Sequence, residues 1–304
     1  MKIKFKFEIA GYGISLPSKK VSSQEIESLL NLPNNWIKHN VGVVNRYQVS
    51  ENENNTSLGT KALENALSKA NINIDQLDYL ISGASSFDMV LPNRSSLIKK
   101  NIARGNDAAF PCVDIDTTCL SFVTALEYAG MLMQANNLNY IAIVSSEIAS
   151  YGLNPNSPET YSLFGDGAAA FILKKTEKEK GLVFSEMEHY SEGALWTKIE
   201  AGGNNKHPKN TPYSPESYSF DMQGKKLLYF ASKKLPLFIQ HIFDKNNVSI
   251  HDVSKVIPHQ ASKHGLTLFK NIFPNKKALI IDEIENYGNC IAASIPITLA
   301  NALN

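Results

Sequence analysis

The chain alternates short apolar runs with amphipathic helical stretches, and this order constrains its fold more than any other feature. Runs at 77–82, 111–116, 140–145 and 168–173 are short, apolar and punctuated by Gly, Asp and Ser, which is typical of strands buried on both faces of a sheet. Helical periodicity separates them, most clearly at 119–134. Strands that alternate with helices predict an α/β layered fold.

A charged turn at 174–180 interrupts this pattern, after which strand, helix and strand begin again. The elements predicted for this part are a strand at 182–190, a polar loop at 202–218, a Lys-rich helix at 221–243, a buried strand at 255–258 and a last helix that begins near Asn289. With 304 residues, the chain is about twice as long as an ordinary domain. We therefore expect two halves, 1–175 and 176–304.

Composition and charge exclude several classes of protein. Hydrophobic residues make up 43% of the chain and charged residues 19%, which excludes intrinsic disorder. Thirty basic against 29 acidic side chains give a formal charge of +1, so no nucleic-acid or membrane partner is indicated. The first nine residues resemble a half-exposed strand and not a signal peptide, and no run reaches the roughly 18 apolar residues of a membrane span. Three cysteines form no disulfide framework, so a cytoplasmic location is expected.

Cys119 lies where a predicted buried strand turns directly into a helix. Such an elbow exposes the sulfur at the carboxyl edge of the sheet, and the partial positive charge of the helix N-terminus is expected to lower the thiol pKa. The alternative is that Cys119 is inert packing, as a free cysteine often is, and position alone does not decide between the two. Cys112, inside a strand, and Cys290, inside the last helix, are interpreted as structural.

His259 and Asn289 lie at comparable places in the α/β pattern. His259 follows the strand that ends in Val-Ile-Pro, and Asn289 follows a glycine that leads into a helix. Alone, His259 would more often be structural, and Asn289 would more often cap the helix. Together with Cys119, however, they place three reactive side chains at strand ends or helix starts, where α/β sheets collect functional groups. The Cys context of papain-like hydrolases is absent.

Four motifs, in this order and spacing, resemble the β-ketoacyl-acyl carrier protein synthase III family of thiolase-fold condensing enzymes. They are Asp-Thr-Thr-Cys-Leu-Ser-Phe at 116–122, Phe-Gly-Asp-Gly-Ala-Ala-Ala at 164–170, Ile-Pro-His-Gln-Ala at 257–261, and Tyr-Gly-Asn-Cys-Ile-Ala-Ala-Ser-Ile-Pro at 287–296. The likeness covers nearly the whole chain and extends to Trp36, Gly42, Arg46, Leu91-Pro92 and the segment 222–224.

The resemblance implies a layered αβαβα fold of two related halves and a Cys-His-Asn triad. Cys119 would be acylated by a thioester, and His259 and Asn289 would donate to the oxygen of the enolate left when a malonyl thioester loses carbon dioxide. Acyl carrier protein or CoA thioesters would be the substrates, in fatty-acid, polyketide or lipid biosynthesis, with no cofactor and no metal. Further substrate-binding residues assigned by the resemblance are Trp36, Leu91, Phe164, Gly224 and Ser262.

Several positions depart from the family pattern. Asn40 and Pro158 stand where members that take a CoA starter usually have arginines, and Leu91 stands where a Phe is common. We therefore expect carrier-bound acyl groups to be preferred over acyl groups on CoA.

The carrier protein would meet a basic face of Lys225, Lys226, Lys263 and Lys270, to which Lys233 and Lys234 could add, although solvated helix surface is an equal explanation for each. Members also continue beyond the last helix, so this chain is expected to be short at its C-terminus, with a more open pocket.

Assembly and two alternative functions complete the expectations. The resemblance implies a homodimer in which the strand at 110–116 pairs across a two-fold axis and Leu91 approaches the partner's pocket, and an exposed strand edge gives an independent reason for pairing. The alternatives are an auxiliary subunit that pairs with another ketosynthase, and an acyltransferase that moves an acyl group from Cys119 to oxygen or nitrogen. The presence of Cys119, His259 and Asn289 speaks against an inert partner.

Overall fold

A computed structural model describes residues 3–304. Its strands are β1 (Phe5–Ser15), β2 (Lys19–Ser22), β3 (Asn45–Gln48), β4 (Tyr79–Gly83), β5 (Cys112–Ile115), β6 (Tyr140–Glu147), β7 (Gly167–Lys175), β8 (Gly181–Leu182), β9 (Thr197–Lys198) and β10 (Asp221–Met222). Its α-helices are α1 (Ser23–Leu29), α2 (Trp36–Asn40), α3 (Asn55–Ala70), α4 (Arg94–Asn101), α5 (Ser121–Asn136), α6 (Pro158–Tyr161), α7 (Gly224–Asn246), α8 (Lys263–Ile272), α9 (Ile284–Tyr287) and α10 (Ser294–Ala302).

A six-stranded mixed sheet organises the fold, with the strand order β5-β4-β6-β7-β1-β8. β4 pairs in parallel with both β5 and β6, whereas the remaining neighbours are antiparallel. In the middle of the sheet, Ile81 lies opposite Val113 on one side and Ile143 on the other. The apolar runs predicted as buried strands form β4 to β7, so the predicted α/β class is confirmed.

Helices cover both faces of this sheet. α3 and α4 pack on one face, where Leu63, Leu80 and Val144 belong to one buried cluster. α5 and α10 pack on the opposite face, around Phe122 and Phe171. Successive residues of a buried strand point to opposite faces, which explains why continuous apolar runs feed two separate cores.

The close contact between β1 and α3 depends on glycine. A Cβ atom at Gly11 would lie 2.3 Å from the carbonyl oxygen of Ala66, and one at Gly13 would lie 2.5 Å from that of Ala62. Because any side chain there would collide with the α3 backbone, the two glycines allow the helix to lie directly on the strand.

The predicted strands of the second half are longer than the observed ones. The strand expected at 182–190 is observed only as Gly181–Leu182, which pairs with the start of β1. Residues 187–190 are exposed and belong to no strand. The strand expected at 255–258 is a single parallel bridge between Val256 and Ile280. The last α-helix begins at Ser294, after a 3-10 turn at Ile291–Ala293 that follows Asn289. Within residues 3–304, no helix is both long and apolar enough to cross a membrane.

Candidate active site

Cys119 lies in a tight turn between β5 and α5. Thr118 adopts the left-handed conformation, with φ of 51°, which is unusual for a β-branched residue. The Thr118 N–H donates to Asp116 Oδ1 at 2.9 Å. Ser121 Oγ closes the turn, because it accepts from the Thr117 N–H at 3.0 Å and donates to the Thr118 carbonyl at 2.6 Å. The elbow predicted from sequence is therefore present and is held by side chains on both sides of Cys119.

The expectation of a lowered thiol pKa is wrong. Burial raises the pKa of the Cys119 thiol to about 12, and the negative charges of Glu147 and Asp116 add to the increase. Glu147 is completely buried at the end of β6. Removal from water and two nearby carboxylates outweigh the partial positive charge of the helix end, so Cys119 rests as a protonated thiol.

His259 follows the bridge at Val256, in a segment locked by Gln260. The Gln260 side chain donates to the carbonyl oxygens of Pro258 at 3.0 Å and Ile281 at 3.2 Å. Its own carbonyl oxygen accepts from the Glu283 N–H at 2.9 Å. Burial lowers the pKa of His259 to about 4, so the imidazole is neutral at physiological pH. Its Nδ1 atom is buried and has no hydrogen-bond partner within residues 3–304.

Asn289 is positioned by backbone contacts on both sides. Its N–H donates to the Leu163 carbonyl at 2.9 Å, and its carbonyl accepts from the Gly165 N–H at 3.1 Å. The side-chain oxygen accepts from the Ile291 N–H at 2.9 Å, and the side-chain amide donates to the Ala261 carbonyl at 3.3 Å. The predicted N-cap role is wrong, because Cys290 is the N-cap residue of the 3-10 turn that follows and no side chain caps it; the Asn289 side chain instead closes a turn with Ile291. Within residues 3–304, Ala261 is the one acceptor of the amide group, so its second hydrogen is available as a donor.

The segments that carry the three residues meet. Asn289 is bonded to Ala261, two residues after His259. The turn at 118–120 lies against the turn at 291–293, and Cys119 packs in the apolar cluster that contains Phe164 and Ile291. Across residues 3–304, no hydrogen bond joins the Cys119 thiol to His259 or Asn289. The structure therefore brings the three segments together without preassembling a thiol–imidazole pair.

The predicted substrate residues occupy different environments. Trp36 opens α2 and is partly buried against the same apolar cluster. Phe164 is only 4% exposed and stacks on Phe220, with 4.4 Å between ring centroids. Phe164 is therefore a packing residue in this structure, and its assignment to substrate binding stays a prediction. Leu91, by contrast, is 81% exposed.

Two further predicted positions lie at helix starts. Gly224 begins α7, and a Cβ atom there would meet no atom within 4 Å. Ser262 is the N-cap of α8, and its hydroxyl accepts from the Gly265 N–H at 3.1 Å. Helix capping accounts for Ser262, whereas no contact requires glycine at 224, and the assignment of both residues to substrate binding stays a prediction.

The predicted basic face is only partly available. Lys225 and Lys226 are exposed at the start of α7, and Lys226 Nζ lies 4.4 Å from the centroid of Trp196. Lys263 Nζ donates to the His39 carbonyl at 3.2 Å. Lys270 Nζ lies 2.7 Å from Asp282, which offsets part of its charge, and its place on a carrier-protein face stays a prediction. Sequence cannot show this pairing, because the aspartate belongs to a different segment.

Two buried carboxylates near the site were not among the predicted residues. Glu147 accepts hydrogen bonds from the N–H groups of Ser85 and Ser86. Asp166 is buried in the Gly-Asp-Gly turn and accepts from the N–H groups of Val49, Ala149 and Ser150. An acidic residue that ends a buried apolar strand, as Glu147 does, is a signal that could have found the first of them.

The mixed sheet between helical layers, with Cys119 at the end of a parallel strand and His259 and Asn289 on loops that meet it, defines the class of thiolase-like condensing enzymes. The family model of 3-oxoacyl-[acyl-carrier-protein] synthase III matches residues 113–193. The family model of the C-terminal part of the same enzyme matches residues 243–304. A β-ketoacyl-[acyl-carrier-protein] synthase III of Clostridium beijerinckii is 30% identical over 296 residues, which cover 96% of this chain and 88% of that protein.

A second relative and a solved structure agree. The enzyme of the same description from Clostridium perfringens is 28% identical over 302 residues, which cover 98% of this chain and 90% of that protein. The crystal structure of 3-oxoacyl-(acyl carrier protein) synthase III from Pseudomonas aeruginosa superposes with a TM-score of 0.87 at 23% identity, covering 98% of this chain and 89% of the other. The chain belongs to the β-ketoacyl-[acyl-carrier-protein] synthase III family, whose members are acyltransferase-class condensing enzymes.

Proposed function

We propose that this chain joins an acyl thioester to a malonyl thioester by decarboxylating condensation, with Cys119 as the acylated nucleophile. The observation that carries the proposal is the meeting of the Cys119 turn with the Asn289 and His259 segments, because Asn289 is hydrogen-bonded beside His259 and the turn at 291–293 packs on Cys119. The homologous synthases carry out this class of reaction by name.

In the first half-reaction the acyl group moves from one thiol to another. Cys119 sulfur bonds to the acyl carbon, the bond from that carbon to the donor sulfur breaks, and the Cys119 proton ends on the released thiol. The resting site fits this exchange because both Cys119 and His259 are neutral at physiological pH. The Cys119 N–H would stabilise the transient oxyanion.

In the second half-reaction a malonyl thioester loses carbon dioxide and leaves an enolate. His259, with its proton on Nε2, and the free amide hydrogen of Asn289 would donate to the enolate oxygen. A neutral imidazole suits this task, because it stabilises the oxygen without offering a proton acidic enough to quench the carbanion. The enolate carbon then bonds to the acyl carbon, the bond from that carbon to Cys119 sulfur breaks, and the released thiolate takes up a proton from solvent.

The donor would be an acyl group on a carrier protein. Asn40 carries no charge, and its amide is already bonded to the Trp36 carbonyl at 2.8 Å. Pro158, at the other position where an arginine was expected, opens α6. Exposed Lys225 and Lys226 supply positive charge for an acidic carrier. The pathway would be fatty-acid, polyketide or other lipid synthesis, in a reducing, cytoplasmic setting that suits three free cysteines.

We also propose a homodimer formed along β5. This strand lies at the edge of the sheet, where β4 is its partner. Apolar side chains beside it are exposed on the loop after β4, with Val90 74% and Leu91 81% exposed. An unpaired edge next to such a loop is an association surface, and a stable pair would bury more than about 2,000 Å².

Intact-mass analysis tests the function. The protein is incubated with a panel of acyl-carrier and acyl-CoA thioesters, and a stable acyl adduct is expected on the peptide that contains Cys119. The Cys119→Ala variant should carry no adduct, whereas Cys112→Ala, a matched control, should be acylated like the unaltered chain. An adduct on Cys112 or Cys290 would contradict the assignment. Subsequent addition of a malonyl thioester should release carbon dioxide and a 3-oxoacyl product.

A further inference from the structure

A chain of hydrogen bonds connects a buried carboxylate to the turn that carries Cys119. Ser85, on the loop after β4, bridges two acidic residues: its N–H donates to Glu147 at 2.7 Å, and its hydroxyl donates to Asp116 at 3.1 Å. The same Asp116 oxygen accepts from the Thr118 N–H at 2.9 Å. Thr118 directly precedes Cys119, so the series runs from the end of one sheet strand to the nucleophile.

The buried end of this series is fixed. Glu147 has no exposed surface and accepts, besides Ser85, the N–H of Ser86 at 2.9 Å and the hydroxyl of Ser86 at 2.6 Å. The Ser86 hydroxyl in turn accepts from the Ile148 N–H at 2.9 Å. Because four hydrogen bonds join the loop to the end of β6, Ser85 presents its hydroxyl to Asp116 from a rigid support.

The other end of the series is strained. A left-handed threonine is a conformational outlier that persists only when its surroundings hold it. Asp116 provides the local restraint, since its side chain accepts from the N–H two residues further on. Loss of that acceptor would let Thr118 relax and would move Cys119 relative to the His259 and Asn289 segments.

From this geometry we infer that Asp116 is a positioning residue, which Ser85 and Glu147 hold in place so that it fixes the Cys119 turn in its reactive conformation. The inference rests on the proposed role of Cys119 as the nucleophile. Asp116 has a second effect through its charge, because it contributes to the raised pKa of the thiol. The two effects have opposite consequences for reactivity, and two substitutions separate them.

Asp116→Asn keeps a side-chain oxygen for Thr118 and Ser85 and removes the charge, whereas Asp116→Ala removes both. At one pH between 7 and 9, iodoacetamide alkylation of Cys119 and its acylation by a thioester are followed by intact mass. We expect Asp116→Asn to be alkylated faster than the unaltered protein, because more thiolate is present. We expect Asp116→Ala to react about tenfold more slowly than Asp116→Asn with both reagents, because only the alanine variant loses the turn.

Two further variants complete the experiment. Ser85→Ala, which keeps the N–H bond to Glu147, should slow both reactions about threefold. Asp107→Asn removes an exposed carboxylate elsewhere and should change neither rate. Thermal unfolding checks that both Asp116 variants are folded. If they are, equal reaction rates for Asp116→Ala and Asp116→Asn would overturn the inference. If no thioester acylates the unaltered protein while the two alkylation rates still differ as expected, the proposed function fails and the positioning role stands.

Discussion

The protonation state of His259 gives the sharpest test of the proposed chemistry. If neutral His259 donates from Nε2 to the enolate oxygen, the decarboxylation rate should stay constant as pH falls through the range in which an ordinary histidine titrates. Burial lowers the pKa of this group from 6.5 to about 4. The imidazolium form of His259 is therefore disfavoured until the pH approaches about 4.

The expected size of the effect follows from these two pKa values. At pH 5.5 an imidazole with a pKa of 6.5 would be about 9% neutral, whereas one with a pKa of about 4 would be about 97% neutral. An exposed histidine in the same role would thus lose about tenfold in rate between pH 8 and pH 5.5. His259 should lose almost nothing over that interval.

Carbon dioxide release from a malonyl thioester, corrected for the rate without protein, measures this step. His259→Ala should lower the release by about 10²-fold, the typical effect of removing one oxyanion donor, while Cys119 acylation changes much less. Glu147, which burial gives a pKa of about 7, also titrates in this interval, so Glu147→Gln is the control for any residual pH dependence. A tenfold fall with a midpoint near 6.5 that persists in Glu147→Gln would refute the reasoning.

Three further outcomes are expected. Asn289→Ala should lower condensation by about 10²-fold or more and leave Cys119 acylation less affected, measured by product formation and intact mass; equal loss of both steps would remove the donor role. Replacing Lys225 and Lys226 by Glu should reduce kcat/KM for acyl-carrier substrates and leave that for acyl-CoA unchanged, with the same reversal at exposed Lys178 and Lys180 as the matched control; a higher kcat/KM of the unaltered protein for acyl-CoA would contradict carrier preference. Light scattering at micromolar concentration should report a dimer, and Leu91→Glu should shift it toward monomer, whereas a monomeric unaltered chain would remove the dimer proposal.

The fold of the first half could be predicted because its strands carry their own signal. Runs of apolar residues buried on both faces leave few alternatives, and the predicted runs at 140–145 and 168–173 lie within β6 and β7. The strand expected at 182–190 has mixed polarity, so its formation depends on a neighbouring strand. Only Gly181–Leu182 pairs with one, which is β1. Whether such a segment becomes a strand is decided by tertiary contacts that no local pattern contains.

The turn that carries Cys119 could be predicted from the sequence, but its electrostatic environment could not. Cys119 was placed correctly at a strand-to-helix elbow, yet its pKa moves in the opposite direction from the expectation. The cause is burial together with Glu147, which is distant in the sequence and reaches the site only because β6 lies beside β4 in the sheet. Local pattern also misassigned Asn289, because its side chain does not cap the helix but bonds to the Ile291 N–H and to the His259 segment.

A neutral Cys119 thiol is a weaker nucleophile than a thiolate, and a neutral His259 does not stabilise a thiolate by its charge. The charges of the complete proposed reaction explain why such a site can still work. Exchange of an acyl group between two thiols begins and ends with a protonated sulfur, so no permanent charge has to be stabilised in the buried turn. In the proposed reaction negative charge arises transiently, on the thioester oxygen, on the enolate and on the departing Cys119 sulfur, and the Cys119 N–H, the imidazole N–H and the Asn289 amide would donate to the two oxygen-centred anions. Burial that raises the pKa of the thiol and lowers that of His259 also strengthens each of those donations, because fewer water molecules compete for the oxygen. Desolvation alone disfavours every anion in this site, so the oxyanion and the enolate depend on these hydrogen-bond donors.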